Sequence, residues 1–178
     1  MNAESKQGVL LDSLNKFYTD HAHLKLFTEV IRNESGISLR ILDWLVTNYS
    51  KKKNIVYLLG EGDDARSFNM FLEYKSQLKG FSKRYFDPFC RRERVDFLDT
   101  DGEPFQTTLG QMNFFRWAII HGVLTYGRQN NQDIESDMMD SIRHRFRIGS
   151  ERQKRKELSK AAVKTCTKTL VKVTVRFQ

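Results

Sequence analysis

Apolar residues recur at helical spacing through residues 8–32. Val9, Leu10, Leu14, Phe17 and Tyr18 make one set, and Leu24, Leu26, Phe27, Val30 and Ile31 a second, which predicts two amphipathic helices. Thr19 and Asp20 separate them, with Asp20 placed to cap the second. Asn33, Glu34, Ser35 and Gly36 read as a turn. Ser38 then opens a third helix with a wide apolar stripe: Leu39, Ile41, Leu42, Trp44, Leu45, Val46 and Tyr49. Lys51, Lys52 and Lys53 close it where the helix dipole favours cations. Ile55, Val56, Tyr57, Leu58 and Leu59 form a short β-prone run that ends at Gly60 and Gly62.

Residues 65–82 return to a helical period, with Phe68, Phe71, Leu72, Leu78 and Phe81 as the inward set. Asp87 and Pro88 mark a break, and Pro88 suits a first helical position behind an Asp cap. The residues from Phe89 to Arg94 would be a short basic helical turn. Val95, Phe97 and Phe105 alternate with polar residues on both sides of Asp101-Gly102, the pattern of a small hairpin. The strongest helical pattern covers residues 108–121. Thr108 and Gln111 have capping-box spacing, Leu109, Met112, Phe115, Ala118 and Ile119 share a face, and Phe114 and Trp117 widen it. Gly122 stands where a left-handed terminator belongs. A further helix is predicted over residues 133–147, turning basic in its second half.

Gly149 and Ser150 look like a hinge into a tail. Within it, residues 151–165 could be helical. Leu170, Val171, Val173, Val175 and Phe177 interleave with Lys172, Thr174 and Arg176, a period of two that predicts a strand. Such a strand must pair with the hairpin of its own chain or with another subunit's edge.

Charge divides the chain more sharply than hydropathy does. The formal charge of the 178 residues is +8, yet residues 1–140 carry −2 and residues 141–178 carry +10. A near-neutral body thus bears a basic end that stays extended unless a polyanion neutralises it. The 21 aromatic residues, 13 Phe, 6 Tyr and 2 Trp, exclude wholesale disorder and concentrate in the body. Cys90 and Cys166 are too few for a disulfide framework or a four-cysteine zinc site. No run approaches the eighteen or so apolar residues of a membrane span, and the N-terminus lacks a signal-peptide pattern.

Two basic constellations suit phosphate binding. Lys83, Arg84, Arg91, Arg92 and Arg94 are interleaved with Phe81, Tyr85, Phe86 and Phe89. Cations hold phosphates and aromatic faces stack bases, a combination that fits single-stranded or irregular nucleic acid. The competing reading buries the phenylalanines as core and pairs the arginines with Asp87, Glu93 and Asp96. The second constellation is Arg143, Arg145, Arg147, Arg152, Lys154, Arg155 and Lys156. It lacks the Asn or Gln placement of base readout, so its contacts would be independent of sequence.

Signals for chemistry are weaker. Cys90 lies among arginines that could stabilise a thiolate, but His21, His23, His121 and His144 are scattered and none is tied to it by sequence. His21 and His23 lack downstream ligands at metal spacing. Asp96, Asp99, Asp101 and Glu103 are the one hook for a metal-dependent nuclease, without EF-hand spacing. No phosphate-cradling glycine motif and no nucleophile elbow is present. The expectation is therefore a protein that is not an enzyme, with no metal and no cofactor.

Four stretches carry a family resemblance. They are residues 37–52, ISLRILDWLVTNYSKK; residues 74–79 through 85–94, YKSQLK and YFDPFCRRER; residues 107–119, TTLGQMNFFRWAI; and the tail segments KRKELS at 154–159 and VKVTVRF at 171–177. Together they resemble an uncharacterised protein family of nucleocytoplasmic large DNA viruses, over roughly residues 9–178. The resemblance implies a viral setting, in the host cytoplasmic factory or the virion, and implies no catalytic residues.

The combined expectation is an α+β, mostly α protein. A compact helical body with a small β-hairpin, residues 1–148, would carry a basic C-terminal arm ending in a strand, residues 149–178. Its expected role is sequence-independent binding of nucleic acid, DNA before RNA, through phosphates. The alternative is a minor capsid or assembly protein whose arm contacts other viral proteins or a second copy of the chain.

Overall fold

The computed structural model describes residues 3–151. The chain divides after Asp140, and the larger unit holds most of the elements. In order, the elements of the described residues are α1 (Ala3–Tyr18), α2 (His21–Ile31), α3 (Leu39–Trp44), a π-helical turn (Leu45–Tyr49), α4 (Ser50–Lys53), β1 (Val56–Leu59), a 3-10 turn (Gly62–Asp64), β2 (Arg66–Asn69), α5 (Met70–Tyr85), β3 (Arg94–Leu98), β4 (Pro104–Thr108), α6 (Leu109–Ile120), α7 (Val123–Gln129) and α8 (Asn131–Glu151), which runs across the division. The protein is mostly helical, with two antiparallel hairpins, β1–β2 and β3–β4. The α+β class read from the sequence therefore holds for the described residues.

The local signals explain most boundaries. Asp20 accepts the Ala22 N–H at 2.8 Å and caps α2. Ser38 accepts the Ile41 N–H at 3.3 Å and opens α3. The three lysines end α4, and Asn54 turns left-handed behind them at φ 48°, a conformation Asn tolerates better than most residues. Gly102, at φ 81°, closes the turn between β3 and β4. Gly122, at φ 66°, separates α6 from α7.

Helix α6 is the centre of the larger unit. Leu109, Gly110, Gln111, Met112, Asn113, Phe114, Phe115, Trp117 and Ala118 are all buried. A helix covered on nearly every side is enclosed by its neighbours instead of lying on the surface. Phe115 meets Phe27, with ring centres 5.0 Å apart, and Phe27 meets Phe105 at 5.8 Å. On the other side Phe114 and Trp117 pack on Phe86, at 5.4 and 5.5 Å. The Tyr18 hydroxyl donates to Met112 O at 2.7 Å and ties α1 to the same helix. Burial pushes that phenol well above its ordinary pKa.

Four expectations need correction. Residues 66–69 are not the start of a helix. They form β2, paired with β1 in the register Val56↔Asn69 to Leu59↔Arg66, and α5 begins only at Met70, where the Asn69 side chain accepts the Leu72 N–H. The inward set of α5 differs accordingly: Met70 and Tyr74 are buried and Leu72 is 64% exposed. Residues 89–94 form no helical turn, because the Asp87 carboxylate takes the Phe89 N–H and the Arg91 guanidinium and holds the segment irregular. Gly149 and Ser150 do not break the backbone and lie inside α8. The capping box is half made: Thr108 accepts the Gln111 N–H, but the Gln111 side chain turns to Thr107 and Pro88. The predicted strand of residues 170–177 and helix of 151–165 fall outside the described residues, apart from Glu151.

Candidate functional site

The first basic constellation lies where α5 ends. Ser82 has φ 59° and ψ 170°, so the helix kinks there before its last turn. For a residue with a Cβ that is a sparsely populated conformation, held only when surrounding contacts enforce it. The enforcing contacts come from the amino-terminal half of α6. Asn113 Nδ2 donates to Tyr85 O at 2.8 Å, Asp87 N–H to Gly110 O at 3.1 Å, and Gln111 Nε2 to Pro88 O at 2.9 Å. Gly110 lets the two backbones close: a Cβ on it would meet Arg84 O at 3.0 Å. Residues 84–88 are thereby strapped across the start of α6.

Beside this strap is a cleft of about 410 Å³. Helix α1 gives it Gln7 and Leu11, the end of α5 gives Arg84 and Tyr85, and the β3 side gives Arg92, Glu93, Arg94 and Val95. Thr108 and Leu109 bring the amino end of α6 to the same space, and the helix dipole there adds positive potential. The Tyr85 hydroxyl lies 3.5 Å from Gln7 Oε1, and the Arg84 guanidinium sits 5.4 Å from the Tyr85 ring centre. Arg94 donates to Gln106 Oε1 at 3.0 Å. Among the described residues Arg84, Arg92 and Arg94 form no ion pair. Glu93 is the one acid on the lining.

The other two members of that constellation are used differently. Arg91 grips Asp87 with Nε at 2.9 Å and Nη2 at 2.8 Å, and its guanidinium lies 4.7 Å from the Phe89 ring centre. Asp43 and Tyr74 are close by. Burial, opposed by Arg91 and Lys83 and reinforced by Asp87, raises the Asp43 carboxyl above its ordinary value. Burial, helped by Asp43 and Asp87, pushes the Tyr74 phenol up to about 12. Arg91 therefore answers Asp87, one of the three acids the competing reading assigned to the arginines, while Lys83 is exposed and in no ion pair among the described residues, and Arg84, Arg92 and Arg94 converge on the cleft. Of the aromatic residues, Phe86 is core at 1% exposure.

Arg143, Arg145 and Arg147 of the second constellation lie on α8, in the smaller unit. Arg152, Lys154, Arg155 and Lys156 fall outside the described residues. Cys90 is a half-buried free thiol, and Cys166 is likewise outside. His23 stacks on Phe17 with ring centres 4.2 Å apart, which makes it a packing residue. Asp99 has no exposed side-chain surface and is taken by Arg32 and by the N–H groups of Asp101 and Glu103. Among the described residues no three His, Cys, Asp or Glu side chains assemble into a metal-binding group.

The sequence did not point to Gln7, Leu11, Thr108 or Leu109 as part of a site. Their residue types carry no charge signal, and only the docking of α1 on α6 brings them to the arginines. Tyr85 was legible as an aromatic residue between basic ones, without its place on the cleft wall.

A family of unknown function, DUF7197, matches residues 3–148. The chain belongs to that family. A DUF7197-matching segment thus includes all of the cleft and every described element up to the last turn of α8. The chain is also 40% identical over 144 residues to an uncharacterized protein of Acanthamoeba polyphaga mimivirus. That match takes in 78% of this chain and 56% of the viral protein, so the chain spans little more than half of its relative's length. The resemblance to an uncharacterised viral family is thereby supported. No solved structure matches the chain. No helix among the described residues is long and apolar enough to cross a membrane.

Proposed function

We propose that this DUF7197 protein binds nucleic acid through phosphate contacts, without sequence preference and without catalysing a reaction. The observation that carries the reading is the convergence of Arg84, Arg92 and Arg94, none of them in an ion pair among the described residues, on one cleft. Guanidinium groups gathered without an acid partner repel one another and favour an anion with several phosphates. The +10 charge of residues 141–178 supports the same partner class, since each phosphate neutralised releases condensed counterion. Arg143, Arg145, Arg147, Arg152, Lys154, Arg155 and Lys156 form the second contact set; Lys83 and Arg91 contribute long-range potential, with the Arg91 side chain held by Asp87.

DNA ranks ahead of RNA because the stretches named above resemble a family of nucleocytoplasmic large DNA viruses. The same likeness points to work in the host cytoplasmic factory or the virion. The test is a salt series on the full-length protein with random-sequence duplex and single-stranded DNA. Affinity should fall steeply between about 50 and 200 mM salt and be indifferent to base composition. Undetectable binding at the lowest salt sinks the proposal.

A minor capsid or assembly role is the second reading. Val56 and Leu58 lie on one face of β1 and are 48% and 70% exposed, and apolar residues displayed on a strand fit a protein neighbour. Copy number in purified virions separates the two readings: fixed lattice stoichiometry favours assembly, and co-purification with the DNA favours nucleic-acid binding.

A further inference from the structure

The cleft is amphipathic in a particular way. Arg84 comes from the end of α5 and Arg92 and Arg94 from the β3 side, while Leu11, Val95 and Leu109 supply apolar lining and Tyr85 an aromatic ring. A site that served duplex phosphates alone would need only the cations, on a convex or flat surface that follows the backbone. Apolar and aromatic lining beside cations suits a ligand that offers an unpaired base together with its phosphates. A duplex keeps its base faces stacked inside and cannot present them. A space of about 410 Å³ also lies within the usual range for a compact ligand, such as one nucleotide unit, and is too small to admit a double helix.

The walls are preformed. Arg84 and Tyr85 sit on the strap held by Asn113, Gly110 and Gln111, so little conformational freedom is lost when a ligand enters. The amino end of α6 opens on the same space, and Glu93 is the only opposing charge on the lining. We infer that the cleft receives a single strand of nucleic acid, one base against Tyr85 and the apolar lining, with the flanking phosphates on Arg84 and on Arg92 with Arg94. This inference rests on the nucleic-acid reading above and narrows it to unpaired strands.

Arg92 is the best probe of it, being exposed and without an ion pair among the described residues, so its replacement should leave folding intact. Full-length protein, Arg92→Ala, Arg92→Lys and Tyr85→Leu would be titrated with oligo-dT and with a duplex of equal length across a salt series, alongside thermal melts. The expected result is tighter binding of the single strand at every salt concentration. Arg92→Ala should lower the single-strand salt slope by about 0.7, the value of one neutralised phosphate, with the duplex slope and the melting temperature unchanged. Arg92→Lys should restore the slope. Tyr85→Leu should weaken the single strand roughly five- to hundredfold, the range expected for removing one base stack, and leave duplex binding alone.

Equal affinity for both forms, or an Arg92→Ala slope change shared by both, overturns the single-strand assignment and leaves the broader reading standing. Displacement of oligo-dT by thymidine monophosphate at comparable concentration overturns it in favour of a mononucleotide site. Absence of binding to either nucleic acid ends both proposals.

Discussion

Arg91 commits two nitrogens to Asp87, while Arg92 turns to the cleft and meets no acid among the described residues. The two substitutions to alanine should therefore separate stability from binding. Asp87 is 6% exposed, and losing Arg91 leaves its carboxylate with the Phe89 N–H as its remaining described partner. Arg91→Ala should cost about 1 kcal/mol, a figure kept low because the Arg91 side chain is 60% exposed. A denaturant melt of the two variants checks this; equal destabilisation would show that the assignment of roles is wrong. Asp99 adds a pH dependence. Burial alone would raise its carboxyl, but the Glu103 N–H, the Arg32 guanidinium and the Asp101 N–H together hold it below the ordinary range. A depressed folded pKa stabilises the protein above the unfolded value, about 3.9, and that contribution is lost as pH falls toward the folded value. Asp99→Asn should melt well below wild type at neutral pH, and the gap should close as the pH drops below about 4. A gap that stays constant would exclude an ionised Asp99 as the source.

At the scale of elements, the strap across α6 follows directly on the kink at Ser82. Gly110→Ala would drive a Cβ to 3.0 Å from the carbonyl of Arg84, a backbone atom that cannot rotate away. The cost should be about 1–3 kcal/mol, and the cleft should loosen with it, seen as weaker nucleic-acid binding along with a lower melting temperature. Ser82→Gly should act in the opposite sense. It relieves the strain of φ 59° at the expense of a more flexible unfolded chain, so stability should stay level or rise by up to about 1 kcal/mol. A clear loss would mean that the Ser82 hydroxyl, which accepts the Arg84 N–H at 3.3 Å, matters more than the strain. These elements also show where sequence is informative. Helices α1, α2, α3 and α6 announced themselves through their apolar period, and at the last three a cap agrees with it, as Asp20, Ser38 and Thr108 do. Strand β2 did not: Phe68 fits a helical stripe as well as a strand, and only pairing with β1 decides between them. The cleft was half legible, since arginines stand out in composition but which of them the fold holds on an acid, as it holds Arg91 on Asp87, shows only in the packed chain. Helix α1's part in the cleft depends on tertiary docking that no local pattern encodes.

For the whole chain, the division of charge sets the order in which contacts are felt. Residues 141–178 hold +10 and the remainder −2. At low salt the basic end should dominate both encounter rate and affinity, because its field reaches a Debye length of about 30 Å at 0.01 M. Near physiological salt that length shrinks to about 8 Å, and close, shape-dependent contacts in the cleft gain in relative weight. Two sets of substitutions should consequently trade rank with ionic strength. Replacing Arg152, Lys154, Arg155 and Lys156 by glutamine should reduce the salt slope for duplex DNA by about 0.9 for each phosphate left without its cation. That reduction should be most visible at low salt and should fall on single strands and duplex alike. Arg92→Ala should matter relatively more as salt rises, and on single strands alone. Affinities measured for both variants and wild type at three ionic strengths give the answer. Parallel lines for the two variants on both ligands would mean that cleft and basic end form one undifferentiated electrostatic surface. Crossing lines would mean that the basic end gathers nucleic acid and the cleft selects unpaired strand from it.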